Sequence, residues 1–419
     1  MKFFATILIG ASALAMAAPG SAQRLGSEPP KDGKPDVGRG TTTSATTTTG
    51  RKLNISREAQ KAIVELQNAV NTNDTANIPA KLAAAQAVAK TTDAKYFIAI
   101  NQVKAAVAAN DAIALKAGVE AMEASGGADP ADLSARFTDL GKRLQTVGQM
   151  DAAAQAYQKA VGYDAANPAT LALFASLREK QGQKAEAVSL MQKSFAASKA
   201  KGTKVAENNF KFAAGLAYNM RSAAAIDIAR EWISAYPSST SWRDGLRIYR
   251  DISGAKGAQL ADTMRLARAA NALNGQSDFY AYSDALVADG ALVEAKSVLA
   301  DAAKAGINVN DSSFKPLSTK AAAAPARAAL DAAAKAAQAG GNAAAIIDAG
   351  DALYGAGSYT EAAALYRAAA SKDANLANLR LGMALARAGD KPGAEAALNA
   401  VTGANQALAR FWLLWLATR

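Results

Sequence analysis

Apolar residues in this chain fall in pairs of short stripes separated by a glycine, and the arrangement returns after 34 positions. The first copy reads Phe137, Leu140, Gly141, Leu144, Gly148, Ala153, Tyr157 and Ala160. The same positions one period later hold Leu171, Phe174, Ala175, Arg178, Gly182, Ala187, Met191 and Ser194. Phe137, Leu140 and Leu144 advance in steps of three and four, the spacing of one helix face. Gly148 is placed to end that helix in a left-handed cap. Ala153, Tyr157 and Ala160 form a second stripe. The pattern therefore predicts two antiparallel helices with small residues, Gly141 and Ala153, where they cross. Leucine at position 141 would overpack that crossing, whereas alanine, the better helix former, is expected to be mild.

The loop 163–168 restarts the pattern, with Asn167 as helix N-cap and Pro168 in the first helical position. Asp129-Pro130 is expected to do the same for the first copy. A third copy reads Ile346, Ala349, Gly350, Leu353, Gly357, Ala362, Tyr366 and Ala369. A fourth, with a shortened loop, reads Leu381, Gly382, Leu385, Gly389, Ala394, Leu398 and Val401. A fifth, weaker copy is Phe279, Tyr282, Ser283, Leu286, Gly290, Ala295, Leu299 and Ala302.

A period of 34 with these eight positions, and the Asp-Ala-Ala-Asn-Pro loop at 164–168, resembles the tetratricopeptide repeat (TPR) family. The resemblance implies an all-α superhelical array of antiparallel helix hairpins, roughly nine of them. It also implies a binding surface on the concave face made by the first helices of successive hairpins. Lys142 and Gln145 in one copy, and Ser176 and Glu179 in the next, fall on the polar side of those helices. There is no Asn/Lys cluster like the carboxylate clamp of chaperone-binding members. The middle region and C-terminal repeats resemble secreted alphaproteobacterial proteins of this family.

The remaining segments divide the chain. Residues 1–22 have Lys2, the apolar run from Phe3 to Ala18 and the small-residue site Gly20-Ser21-Ala22, the pattern of a secretory signal peptide. Residues 23–55 carry Pro, Gly and a threonine tract, which cannot bury a core, and are expected to be a disordered tether. Residues 56–127 are expected to form degenerate hairpins, 128–200 a repeat pair, and 201–310 degenerate hairpins again. Residues 311–342 are an Ala-rich connecting segment, within which 320–342 reads as one plain helix or a hinge. Residues 343–419 are a repeat pair ending in the apolar run Phe411 to Leu416, which reads either as a capping helix that must bury Trp412 or Trp415 against residues 379–401 or as a docking surface for a partner or membrane face.

Composition narrows the chemistry. The chain has no histidine and no cysteine, so no Ser-His-Asp triad, Cys-His pair or zinc site of the usual ligands can be built. No catalytic, cofactor or metal-binding residue is assigned. The carboxylate pairs Glu120–Glu123 and Asp284–Asp289 fit helix ends and solvated faces better than a glycosidase cleft. Lysine and arginine outnumber aspartate and glutamate 47 to 36, a formal charge of +11. Such a surface steers anionic partners. Arg243, Arg247 and Arg250 form a strip at i, i+4, i+7 beside the apolar Trp242, Leu246 and Tyr249.

Together these features predict an exported, periplasmic scaffold without catalysis or cofactor. Its partners are expected to be proteins, with anionic envelope polymers as a second class; nucleic acid and an integral membrane location are not expected. Two alternatives stay open, a structural part of an envelope or polysaccharide-export machine and a carboxylate-dependent carbohydrate-active enzyme.

Overall fold

The computed structural model describes residues 53–371 and 374–419. The expected signal peptide and all but the last three residues of the expected tether lie outside these. The described residues fold into 21 α-helices and one short 3-10 turn. Seven hairpins come first. They are α1 (Arg57–Asn71) with α2 (Ile78–Val88), α3 (Thr92–Ala108) with α4 (Ala112–Ser125), and α5 (Pro130–Thr146) with α6 (Met150–Tyr163). Next are α7 (Pro168–Lys180) with α8 (Lys184–Ala200), and α9 (Glu207–Asn219) with α10 (Ala224–Ala235). Then come α11 (Ser239–Ser253) with α12 (Gly257–Ala269), and α13 (Gly275–Ala288) with α14 (Leu292–Lys304). Two single helices follow, α15 (Lys315–Ala321) and α16 (Arg327–Gly340). The last hairpins are α17 (Ala343–Gly355) with α18 (Tyr359–Ala370) and α19 (Ala374–Ala388) with α20 (Lys391–Asn399), closed by α21 (Gln406–Ala417). The described residues thus form an all-α helical array with nine hairpins, seven before the single helices and two after.

The turn chemistry follows from the sequence. Gly148, Gly182, Gly290, Gly357 and Gly389 all take positive φ between the two helices of their hairpins. At Gly148 the chain closes the helix end in the expected way: Gly148 N donates to Gln145 O at 3.2 Å and Gln149 N to Leu144 O at 2.9 Å. Asn167 caps α7 through its side chain, which accepts from Ala169 N and Thr170 N. Asp129 stands at the N-cap of α5 but makes no side-chain cap hydrogen bond. The two helices of a hairpin are cross-linked at repeat-related points. Ser134 Oγ donates to Ala160 O at 3.0 Å; 34 residues on, Ser194 Oγ donates to Pro168 O at 2.8 Å, with the roles of the two positions exchanged.

The crossing contact is tighter than expected. A Cβ built on Gly141 would lie 2.8 Å from Cδ1 of the Tyr157 ring. The same contact recurs at Gly350 on Tyr366, at 2.6 Å, and at Gly382 on Leu398, at 2.5 Å. The expectation that alanine is mild at position 141 is therefore corrected, because the ring lies against the glycine backbone itself. Gly141→Ala should cost about 1–3 kcal/mol, outweighing the helix-propensity gain of roughly 1 kcal/mol. Chemical denaturation of the variant checks this, and an unchanged or raised midpoint would contradict it.

Two segment assignments change. Residues 53–55, read with the tether, are pinned to the array: Asn54 N donates to Asp93 Oδ2 at 2.7 Å, Thr91 Oγ1 donates to Asn54 O, and Ile55 is buried. The 320–342 segment is neither one helix nor a simple hinge. It breaks at 322–326, where Pro325 lacks an N–H and restricts the residue before it, and α15 and α16 go separate ways. α15 packs on α13 and α14, α16 packs on α17 and α18, and α14 lies directly against α17.

The largest departure concerns α21. It packs on α19 and α20, as expected of a closing helix, but also on α10. Phe411 sits 5.6 Å from the Tyr249 ring and 6.5 Å from Trp242, both on α11. Trp242, Leu246 and Tyr249 are core residues as expected, yet their core is shared with the end of the chain. From α1 to α9 each helix packs mainly on its sequence neighbours, the arrangement of an open array. From α10 onward the array folds back and closes on itself.

Candidate functional site

Repeat-equivalent first-helix positions have opposite fates in the two halves. The residue after the crossing glycine or alanine, and the residue three further on, are Lys142 and Gln145 in α5 and Ser176 and Glu179 in α7. Lys142 is exposed and the other three are half-buried. Among the described residues no side-chain partner engages Lys142, Ser176 or Glu179, and Gln145 only accepts from Tyr157 OH at 3.4 Å. In α17 the same two positions are Asp351 and Tyr354, and in α19 they are Met383 and Ala386; all four are buried.

Met383 and Ala386 belong to the apolar core, whereas Asp351 and Tyr354 meet a buried ion network, with the Arg265 guanidinium 5.0 Å from the Tyr354 ring. Arg265 on α12 is 3% exposed. Its Nε donates to Glu294 Oε1 and Oε2 at 3.1 and 3.0 Å, NH2 donates to Glu294 Oε2 at 2.6 Å, and NH1 donates to Asp262 Oδ1 at 2.7 Å. Asp351 Oδ1 lies 3.6 Å from Arg265 NH1, and Arg380 on α19 donates to Asp351 Oδ2. Tyr282 OH donates to Glu294 and Tyr366 OH to Asp351. Six helices, α12, α13, α14, α17, α18 and α19, meet here. Two arginines face three carboxylates. Burial raises the Asp351 carboxyl, against the pull of Arg265 and Arg380. The cluster was not anticipated from sequence. Its one legible sign is Arg380, set among Leu376, Leu379, Leu381 and Met383, where no solvated face exists.

Burial also pushes the Tyr282 and Tyr366 phenols well above their ordinary range, with the neighbouring carboxylates adding to the effect. Tyr157 is raised by burial to about 12. A raised folded-state value means that the folded chain keeps protons which the unfolded chain releases near pH 10. This stability is complete below pH 10 and is lost as pH rises above it, at up to about 1.4 kcal/mol per pH unit for each buried phenol. Melting temperature should hold from pH 8 to about 9.5 and then fall steeply, with the phenolate absorbance of these tyrosines appearing only on unfolding. Ordinary titration of every tyrosine in the intact fold would contradict the burial.

Arg243, Arg247 and Arg250 are brought together, two hairpins away from α7. They line a cleft of about 380 Å³ with Asp244, Thr263, Met264, Asn274 and Asp278 among its other walls. Arg243 Nε lies 3.3 Å from Asp244 Oδ1, Arg247 NH2 is 4.0 Å from the same oxygen, and Arg250 Nε is 3.3 Å from Asp251 Oδ1. Lys142, Gln145, Ser176 and Glu179 do not line this cleft, so the seven predicted residues form two separate surfaces. The rim residues Asn274 and Ser277 carried no periodic signal, since they sit at the start of α13.

Of the carboxylates considered for catalysis, Glu120 and Glu123 are each taken up by a different lysine. Glu120 lies 3.9 Å from Lys116, and Glu123 accepts from Lys159 at 2.5 Å and from Tyr163 OH at 2.7 Å. Among the described residues no helix is long and apolar enough to cross a membrane.

No protein-family model matches this chain, and no curated protein matches it. Solved structures do. One is the TPR2AB domain of yeast Sti1 in complex with pHSP90, at 14% identity over 69% of this chain and 99% of that one, with a TM-score of 0.25. Another is the C-terminal part of a TPR repeat-containing protein from Cytophaga hutchinsonii, at 15% identity over 64% of this chain and 98% of that one, with a TM-score of 0.31. The 34-residue spacing, the positive-φ turn glycines and the glycine-on-ring crossings describe a TPR-like array on their own.

Proposed function

We propose that this chain is a non-catalytic interaction scaffold of the cell envelope, exported by its N-terminal segment. It holds a protein partner on the open face of its first half. One observation carries this reading. Lys142 is exposed, Ser176 and Glu179 are half-buried, and none of the three has a side-chain partner among the described residues, whereas their counterparts in the second half are buried by the chain itself. A repeat array offers its open face as an extended binding surface, and the closed half supplies a rigid base for it. A photo-crosslinking residue placed at 142 or 179, in cells of the native host, should capture the same protein from both positions. The same residue at Gln155, exposed on the second helix of the hairpin, should not. Equal capture from 155, or none from 142 and 179, would overturn the reading.

A further inference from the structure

The buried network that closes the second half is short of one positive charge. Asp262, Glu294 and Asp351 bring three carboxylates, Arg265 and Arg380 two guanidiniums, and all five residues are buried. The surrounding helices do not supply the missing cation. From α13 and α18 come the phenols of Tyr282 and Tyr366, and from α17 Tyr354 and the exposed Asp348. Arg268 on α12 is already bonded to Asp301, and Arg327 on α16 to Asp331 and Glu361. Nor is the pairing tight throughout. Arg380 Nε is buried without a hydrogen-bond acceptor, 3.5 Å from Asp262 Oδ1. A buried group whose charge is not compensated takes up a proton instead.

A route for that proton exists. A cleft of about 120 Å³ reaches Glu294 and Asp351 and is bordered by Asp289 and Asp348. Both bordering acids are exposed and without an ion-pair partner among the described residues. Their negative field favours the neutral form of an acid inside the cleft. Glu294 is gripped by two nitrogens of Arg265, whereas Asp351 has Arg265 only at 3.6 Å and depends on Arg380. Asp351 is therefore the member that takes the proton most readily, although the proton belongs to the cluster as a whole.

We infer that this cluster is a proton-operated latch: one bound proton balances its charges, and the tie between α12–α14 and α17–α19 is then strongest. This goes beyond the scaffold reading and stands whether or not the first half holds a protein. An acid that keeps its proton more firmly in the folded than in the unfolded chain adds stability as pH falls through its folded-state value. With no histidine and no cysteine, no ordinary side chain of this chain changes charge between about pH 5.5 and 8. Any gain over that range therefore comes from a displaced carboxyl. Burial raises Asp351, and it also raises Glu231 on α10, with Asp227 adding to the effect there. Glu231→Gln is accordingly the control. All four tryptophans, Trp232, Trp242, Trp412 and Trp415, lie in α10, α11 and α21, so their fluorescence reads the closed half. Urea denaturation followed by this signal from about pH 8 to 5.5 is the test. The unfolding constant of the parent should fall on acidification, by up to about tenfold per pH unit. Asp351→Asn, fixed in the neutral form, should give a flat profile, and Glu231→Gln should keep the parent's slope. A flat parent profile, stability that falls on acidification, or a slope that survives in Asp351→Asn or vanishes in Glu231→Gln would overturn the inference. If Asp351→Asn fails to fold by circular dichroism, infrared difference spectra of Glu231→Gln decide. They should show a protonated carboxyl at about pH 6.5 that shrinks towards about pH 9, and its absence would overturn the latch.

Discussion

Trp412→Ala is expected to destabilise the protein by about 3–5 kcal/mol, the range for truncating a buried tryptophan. Trp412 is fully buried and stacks edge-on with Trp415 at 5.5 Å. Its helix touches both the last hairpin and α10, so two contacts loosen at once. Removing residues 406–419 should do more. It strips the apolar end of α19–α20 and exposes Trp242 and Tyr249 on α11. Both surfaces would be free to associate, so aggregation should accompany the fall in melting temperature. Phe411→Ala separates the two roles, because Phe411 faces α11: it should loosen the closure while leaving the last hairpin helical. Circular dichroism melting with light scattering reads all three variants. An unchanged melting temperature without added scattering in the truncated chain would mean that α21 is a free docking element.

Arg265→Met is the second large effect. Breaking a buried ion cluster by removing one member costs about 3–5 kcal/mol, because the remaining charges stay buried without compensation. Here Glu294, Asp262 and Asp351 would lose their common partner. Glu294→Gln should cost less, since Arg265 keeps Asp262 and Asp351 and the amide oxygen can still accept from Tyr282. The double variant should fall well short of the sum of the two single losses, as expected for groups in one network. Urea denaturation of the three variants measures this. Additive losses, or an Arg265→Met chain as stable as the parent, would show that the cluster does not hold the second half closed.

The hairpins were legible because their turns are written in glycine. Where the register is harder to read, the left-handed turn position is held by another residue: Asn73, Asn110 and Arg221 take φ of 53°, 52° and 53°. Asparagine tolerates that conformation and so replaces glycine without leaving a glycine signal. Arg221 also donates to Asp251 O, a contact from the neighbouring hairpin that no local pattern announces. The closure was illegible for a similar reason. Trp242 and Tyr249 read as the core of their own repeat, and they are, but Phe411 fills the space beside them from more than 160 residues away. Periodicity assigns a residue to a face; it does not say which distant element covers that face. The charge cluster is the extreme case. Asp262, Arg265 and Glu294 each look like ordinary solvated helix residues, and only their convergence with Asp351 and Arg380 makes them a core. The arginine strip was legible as a strip, since i, i+4, i+7 places side chains on one helix face. Its cleft was not, because two of its walls come from α12 and α13.

An open first half is joined to a second half that closes through α21. Ser234 and Arg410, exposed on α10 and α21, line one cleft although 176 positions separate them. The chain has no cysteine of its own, so Ser234→Cys with Arg410→Cys can carry two spin labels and nothing else. Pulsed electron resonance should give one distance, under about 25 Å with the label arms included, for a pair of helices packed at an interaxial separation of about 8–10 Å. An array that stays open to its end would hold α10 and α21 apart by four hairpins and two single helices, at about 40 Å or more on the same packing distance. A distribution centred there would contradict the closed second half.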